Sequence, residues 1–510
     1  MSIRCVAAKP CEGCYPASQL PGPGFAATVL TMTDTVEIPI WLFALILLFA
    51  AVTFASHFLF PSVRWFFRRR LERAVARLNR RLERPIEPFR LARRYDMIQR
   101  LIYDPQVAQA VADHAAAEGI PDNVAFEEAR RYAREIVPSF SAFTYFSFAI
   151  RVTRWLSNAI YRVRLGHQDE EALRRIDPEA TLVFVMNHRS NMDYVLITYL
   201  AARRSALSYA VGEWARVWPL SRLIRAMGAY FIRRKSRNEL YRRVLATYVR
   251  LATQGGATQA MFPEGGLSLD GALAPPRMGL LKYIVAAQDA AGPSRDVVFV
   301  PVGLNYDWVL EDKILTSAGR AGERRFKARI GVVMARMLRQ LWLWMTGRYH
   351  RFGYAAVNFG RPLSLAEFTA AQPQNGQGAE DLPTPLSQEL MERIGEIVPV
   401  LPVPAVARLL LSEGAMSRSA LEQRLGSLLK RIPMAHVHVP RHSHAYAVEA
   451  ALRILIQRGI IRAERGRYIP VPAKRDLLTY YANSIRHLVP AASLTADAAP
   501  AKDFSAPARS

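Results

Sequence analysis

"TLVFVMNHRSNMDYVL", residues 181–196, begins as an apolar run of β-formers, breaks into a short polar loop and resumes as a second apolar segment. The run ending at Met186 reads as a buried strand, and Ser190 or Asn191 suits the cap of a following helix. His188 and Asp193 sit in that loop and the first helical turn. On one continuous helix, residues five apart would be separated by about 140° and would not cooperate. The turn between strand and helix removes that objection. It lets the carboxylate reach one imidazole nitrogen, fix the tautomer and leave the other nitrogen to take a proton from a hydroxyl.

The same unit recurs downstream. "AYFI" (229–232), "TQAMF" (258–262) and "VVFVPVGLNY" (297–306) are short strand-like runs, separated by helical stretches such as "NELYRRVLATYVRLAT" (238–253). Strands alternating with helices predict a largely parallel α/β sheet over 166–370. In such sheets ligands collect beyond the carboxyl ends of the strands, where each polar motif of this chain lies. After the second run come Arg233, Arg234, Lys235 and Arg237, a trap suited to phosphate. If that strand continues, Arg233 and Arg234 point to opposite faces and only one enters the site. After the third come Glu264, Gly265 and Gly266, where glycines let backbone N–H groups approach a ligand.

The chain as a whole is strongly basic and half hydrophobic. Its formal charge is +25 over 510 residues. Between Arg64 and Arg100 thirteen arginines face four acids, so +9 of that charge sits in one segment. It follows an uncharged stretch, Ile38 to Val63, long enough to span roughly 30 Å of hydrocarbon as a helix. Basic residues after an apolar stretch predict an uncleaved anchor, with the residues beyond it cytoplasmic at an inner membrane. Anionic membrane lipids are therefore the expected partner of the charge, and nucleic acid is not.

The expected order is a disordered leader (1–35), a transmembrane anchor (36–63), a basic and helical region (64–165), the α/β domain (166–370), a smaller helical, winged-helix-like domain (386–490) and a disordered tail (491–510). Residues 370–385 form a polar linker. "PSFSAFTYFSFAI" (138–150) is aromatic and too short to cross a bilayer; it suits either an interface or a core.

The only cysteines, Cys5, Cys11 and Cys14, precede the apolar stretch, which excludes thiol chemistry from the main body. "HVHVPRHSH" (436–444) has zinc-like spacing but no accompanying carboxylate, and a solvated loop is the better expectation. Ser268 in "GLSLD" lacks the second small residue of a nucleophile elbow, because Asp270 stands there.

Taken in order, the motifs resemble the glycerolipid acyltransferase superfamily, specifically the bacterial membrane-bound glycerol-3-phosphate acyltransferases and their dihydroxyacetone-phosphate relatives. The first motif is carried by His188, Arg189, Ser190, Asp193 and Tyr194, and the second by Gly228, Ala229, Phe231, Ile232, Arg233 and Arg234. Glu264, Gly265, Gly266 and Ser268 form the third, and the strand containing Pro301 the fourth. "LLTYYANSIRHL" (477–488) resembles the family's C-terminal region. The resemblance implies acyl transfer from acyl-CoA or acyl-carrier protein to the 1-hydroxyl of glycerol 3-phosphate, without cofactor, metal or acyl-enzyme. It makes His188 the general base and Asp193 its support. Arg189, Ser190, Arg233, Arg234, Lys235, Glu264, Gly265, Gly266 and Ser268 are implied to bind substrate. Where the family carries arginines after Glu-Gly-Gly, this chain has Leu267 and Leu269, so a related acceptor such as dihydroxyacetone phosphate, or an inactive lipid-binding homologue, is the alternative. Arg277 is the nearest basic residue available to compensate.

Overall fold

The structure is a computed structural model that describes residues 39–80, 82, 84–201, 206–212, 220–233, 238–289, 295–322, 342, 352–372, 382–433, 436–438 and 443–490. The expected leader, tail and central part of the linker lie outside these residues, as do Arg234, Lys235 and Arg237.

Ile40–Asn79 is one continuous helix. It runs past the expected anchor boundary at Val63 into the arginine-rich segment. Its large apolar side chains between Ile40 and Phe54 are exposed, among them Trp41, Phe49 and Phe54. Side chains at 55–68 lie outside the described residues. Among the described residues no helix is long and apolar enough to cross a membrane.

Val75–Ser510 forms a second compact unit. Its sheet has the strands β1 (Arg162–Gln168), β2 (Thr181–Met186), β3 (Ser208–Gly212), β4 (Tyr230–Ile232), β5 (Gln259–Met261), β6 (Val297–Tyr306), β7 (Tyr354–Phe359) and β8 (Leu363–Ser364). They lie in the order β1-β7-β6-β2-β5-β3-β4, with β8 beside β6. The block β6-β2-β5-β3-β4 is parallel, as expected. The sheet as a whole is mixed, because β7 runs antiparallel to β6 and carries β1 parallel to itself.

Strand β2 explains the unbroken apolar run of the opening stretch. Leu182, Phe184 and Met186 enter one core, shared with the helix Met192–Ala201 and with helices of the C-terminal region. Val183 and Val185 enter the other, against helices Asp122–Ile136, Glu239–Gln254 and Gly279–Asp289. A strand covered on both faces has no polar position to alternate with. The carboxyl ends of β2, β4, β5 and β6 consequently share one edge, and the polar loops gather there.

The 138–150 segment contains a π-helix, Thr144–Ala149, that continues as the helix Ile150–Ile160. Tyr145 and Ala149 are buried, whereas Phe143 and Phe148 are exposed, so one segment serves core and surface. In the C-terminal region, helix His444–Gln457 feeds the hairpin β10 (Ile461–Glu464) and β11 (Arg467–Pro470), with β9 (Met416–Ser417) alongside β11. Arg465 and Gly466 both have positive φ, as a two-residue hairpin turn of matching twist requires.

Candidate active site

The site starts where β2 stops. Asn187 is fully buried and pins the strand end to β6: its Nδ2 donates to the Leu304 carbonyl (2.9 Å) and its Oδ1 accepts from the Leu304 N–H (2.8 Å). The chain then turns sharply, and the helix Met192–Ala201 brings Asp193 back towards His188. Asp193 Oδ2 lies 2.9 Å from His188 Nδ1 and accepts the N–H groups of Arg189 (2.7 Å) and Ser190 (3.0 Å). The expected His–Asp pair is present, with both side chains buried. An ionised carboxylate is acceptor-only, so this contact places the imidazole proton on Nδ1 and makes Nε2 the basic nitrogen.

Three aromatic rings hold the pair. Phe262 stacks on the His188 ring (centroids 3.9 Å, 25°), and Tyr194 meets it edge-on at 5.5 Å. Tyr306, at the end of β6, donates its hydroxyl to Asp193 Oδ1 at 2.6 Å. The carboxylate therefore receives donors on both oxygens. Neither Phe262 nor Tyr306 is singled out by the sequence patterns above, since each becomes a site residue only through strand pairing.

Glu264 lies at the end of β5, and its two oxygens accept the N–H groups of His188 (2.9 Å) and Ala274 (3.2 Å). Burial pushes its carboxyl up to about 7, against the pull of those two N–H groups. Here it braces the histidine backbone. Gly265, with φ +68°, makes the turn that follows. A second brace comes from Glu311. It accepts from the Ser190 hydroxyl (2.7 Å), the Asn191 N–H (3.2 Å) and Asn191 Nδ2 (3.1 Å).

Several residues expected at the substrate turn inward instead. Arg189 is buried, donates to the Gly271 carbonyl and, more weakly, to Asn305 Oδ1 (3.4 Å), and lies over the Tyr480 ring. Ser190 caps the following helix by accepting the Met192 N–H (3.1 Å) while donating to Glu311. Ser268 donates its hydroxyl to the Ala272 carbonyl (2.7 Å), and its N–H reaches the His188 carbonyl (3.0 Å). These three hold loops together.

Arg233 is engaged elsewhere as well. It follows β4, but its guanidinium makes a two-pronged ion pair with Glu135 (2.9 and 2.7 Å) over the rings of Tyr132 and Tyr241. The first two histidines of the 436–444 stretch differ from the expected solvated loop, and residues 439–442 lie outside the described residues. His436 and His438 are half-buried and hydrogen-bonded to Asn358 of β7, at 3.4 and 3.0 Å.

The C-terminal helix Arg475–Asn483 presses on the same loops. Asn483 Nδ2 donates to the Asp270 carbonyl (3.0 Å), and Ser484 Oγ lies 3.3 Å from Asn305 Nδ2. This gives "LLTYYANSIRHL" a physical role beside the His–Asp loop.

Residues 164–305 match the Acyltransferase family model, and residues 341–506 match the glycerol-3-phosphate acyltransferase C-terminal region. The chain is 28% identical to the glycerol-3-phosphate acyltransferase of Alteromonas mediterranea, over 78% of this chain and 50% of that protein. It is 29% identical to that of Shewanella amazonensis (83% and 54%) and 30% identical to that of Aeromonas hydrophila (80% and 51%). The chain thus spans about half the length of the curated relatives it matches. A solved 1-acyl-sn-glycerophosphate acyltransferase from Thermotoga maritima aligns at 18% identity and TM-score 0.29, over 49% of this chain and 77% of that one, a likeness too slight to build on.

Proposed function

We propose that this chain, carrying an acyltransferase domain and a glycerol-3-phosphate acyltransferase C-terminal region in that order, transfers a fatty acyl group from a thioester donor to the 1-hydroxyl of glycerol 3-phosphate. The donor is acyl-CoA or acyl-carrier protein, and the product is a lysophosphatidic acid for phospholipid synthesis.

His188 Nε2 takes the proton of the acceptor hydroxyl as its oxygen attacks the thioester carbon. The C–O bond forms, the C–S bond breaks, and the imidazolium returns its proton to the leaving sulfur. Asp193 keeps the donating nitrogen turned inward and stabilises the imidazolium charge. Phe262 and Tyr194 limit rotation of the ring, so little ordering remains to be done in the transition state. The backbone of Gly265 and Gly266 faces the acceptor, and Arg234 and Lys235 are assigned to its phosphate. A general base contributes about 10²–10⁴ in rate, with positioning and electrostatics supplying the rest.

The single observation that carries this reading is the 2.9 Å contact between His188 Nδ1 and Asp193 Oδ2 at the carboxyl end of a parallel strand. We place the reaction at the cytoplasmic face of an inner membrane. The exposed apolar side chains between Ile40 and Phe54 and the arginine-rich segment 64–100, which the same helix enters, support this location.

The test is a panel of glycerol 3-phosphate, dihydroxyacetone phosphate, lysophosphatidate and glycerol, each given with palmitoyl-CoA to wild type and His188→Ala. Glycerol 3-phosphate should be the preferred acceptor, and the variant should be slower by at least about 10²-fold. A wild type without transferase activity sinks the reading, and a preference for dihydroxyacetone phosphate replaces the acceptor.

A further inference from the structure

We infer that Arg277 binds the phosphate of the acceptor, an assignment that rests on the reaction just proposed and gives it a phosphate ligand among the described residues. The argument begins with the loop that follows β5. Its ends are tied where the Arg277 N–H donates to the Pro263 carbonyl at 2.7 Å. Between them, Glu264 accepts the Ala274 N–H, Asp270 Oδ1 accepts the Ala272 N–H at 3.0 Å, and Ser268 donates to the Ala272 carbonyl. Pro275 and Pro276 then restrict the approach of the chain to Arg277. The loop is therefore internally braced, and its last residue is delivered beside its first.

That delivery puts the Arg277 side chain across the Glu-Gly-Gly turn. A Cβ built on Gly265 would lie 2.7 Å from Arg277 Cδ, 3.5 Å from its Nε and 3.6 Å from its Cγ. Glycine at 265 thus supplies the positive φ and also leaves room for this arginine. Gly265 adjoins Glu264, whose carboxylate holds the His188 N–H, so the guanidinium stem sits one residue from the group bracing the proposed base.

The other arginines described around the site are committed elsewhere. Arg189 is buried against Gly271 and Asn305, and Arg233 is paired with Glu135. Arg277 is exposed, and no carboxylate pairs with it among the described residues. Leu267 and Leu269 pack against the hydrophobic core and offer the acceptor no charge. A planar cation that no described carboxylate takes up, its stem across the turn next to Glu264, suits a phosphomonoester.

Steady-state kinetics of wild type, Arg277→Ala and Arg277→Lys with glycerol 3-phosphate, and with unphosphorylated glycerol at high concentration, tests this. Losing a charge-assisted contact should raise KM for glycerol 3-phosphate about 10–100-fold in Arg277→Ala. KM for the acyl donor and turnover of glycerol should hold within about threefold, and Arg277→Lys should recover part of the loss. Inorganic phosphate should inhibit wild type competitively against glycerol 3-phosphate, and the alanine variant much less. The assignment falls if wild type acylates glycerol 3-phosphate and Arg277→Ala leaves that KM unchanged. It also falls if glycerol and glycerol 3-phosphate suffer equally, which would mark a collapsed loop. A wild type inert towards every acceptor removes the proposed reaction itself, and this assignment with it.

Discussion

Tyr306 reaches across from β6 to donate its hydroxyl to Asp193 Oδ1 at 2.6 Å, on the carboxylate oxygen opposite the one that meets His188. Burial first, then the neighbouring Asp193 charge, keeps the Tyr306 hydroxyl protonated well above its ordinary range, so it is a donor at every working pH. The bond draws on the negative charge that would otherwise steady the imidazolium.

Tyr306→Phe removes that donor with almost no change of shape. Asp193 then holds the His188 proton more strongly, and the acid limb of the pH profile of kcat/KM should move up by roughly one pH unit. At neutral pH, kcat should fall by up to about tenfold, since a one-unit shift is worth about 1.4 kcal/mol. A purely structural tyrosine would lower stability and leave the limb where it was, so the profile decides between them.

The Arg233–Glu135 pair supports a second prediction. Arg233 is one-third exposed and Glu135 only 12% exposed, so the pair is partly screened by water. A double-mutant cycle with Arg233→Ala and Glu135→Ala should give a coupling of about 1–2 kcal/mol in urea unfolding. Glu135→Ala should leave KM for glycerol 3-phosphate within about threefold of wild type. An Arg233→Ala protein of unchanged stability whose KM has risen tenfold would return Arg233 to the phosphate.

These two relationships show what one-dimensional reading could reach. His188, Asp193 and Glu264 were legible because each follows its strand within a few residues, and a strand–loop–helix pattern is local. Arg233 was legible as a charge at a strand end, but its partner lies 98 residues earlier on another element, where no spacing rule looks. Tyr306 and Glu311 meet the site over separations of 113 and about 120 residues and have no local signature. Strands β1, β3 and β7 escaped for a different reason. β1 carries two arginines and a histidine at an edge, and β3 and β7 are short runs of small and polar residues among larger apolar ones. With β7 unseen, the antiparallel turn of the sheet was unseen too.

Gly271 lies against the backbone of the C-terminal helix at Tyr480. Its φ is +85°, and a Cβ there would collide with the backbone carbonyl of Tyr480, which no side-chain rotation relieves. Gly271→Ala should therefore cost more than about 2 kcal/mol in chemical denaturation. Gly322 has a similar φ of +63° with nothing within 4 Å of its added Cβ, so Gly322→Ala isolates the backbone cost at about 1 kcal/mol. Equal losses in the two variants would mean that the C-terminal helix does not press on the loop as described.

Asp307, through its burial, gives this unit a stability that falls with rising pH. It is fully buried beyond the end of β6 and accepts the N–H groups of Val403 and Tyr354, each at 2.9 Å. Burial outweighs those two donors and pushes its carboxyl from 3.8 up to about 7. Between those values the unfolded chain releases this proton while the folded one keeps it. The contribution is fully present below about pH 4 and is lost as pH rises to about 7, by on the order of 4 kcal/mol at most. Asp307→Asn carries no titrating proton, so its unfolding free energy should decline less than that of wild type across the same interval. Urea unfolding at pH 4.5, 5.5, 6.5 and 7.5 measures the difference. Parallel curves for the two proteins would show that Asp307 is ionised in the folded state throughout, and that its two backbone donors outweigh its burial.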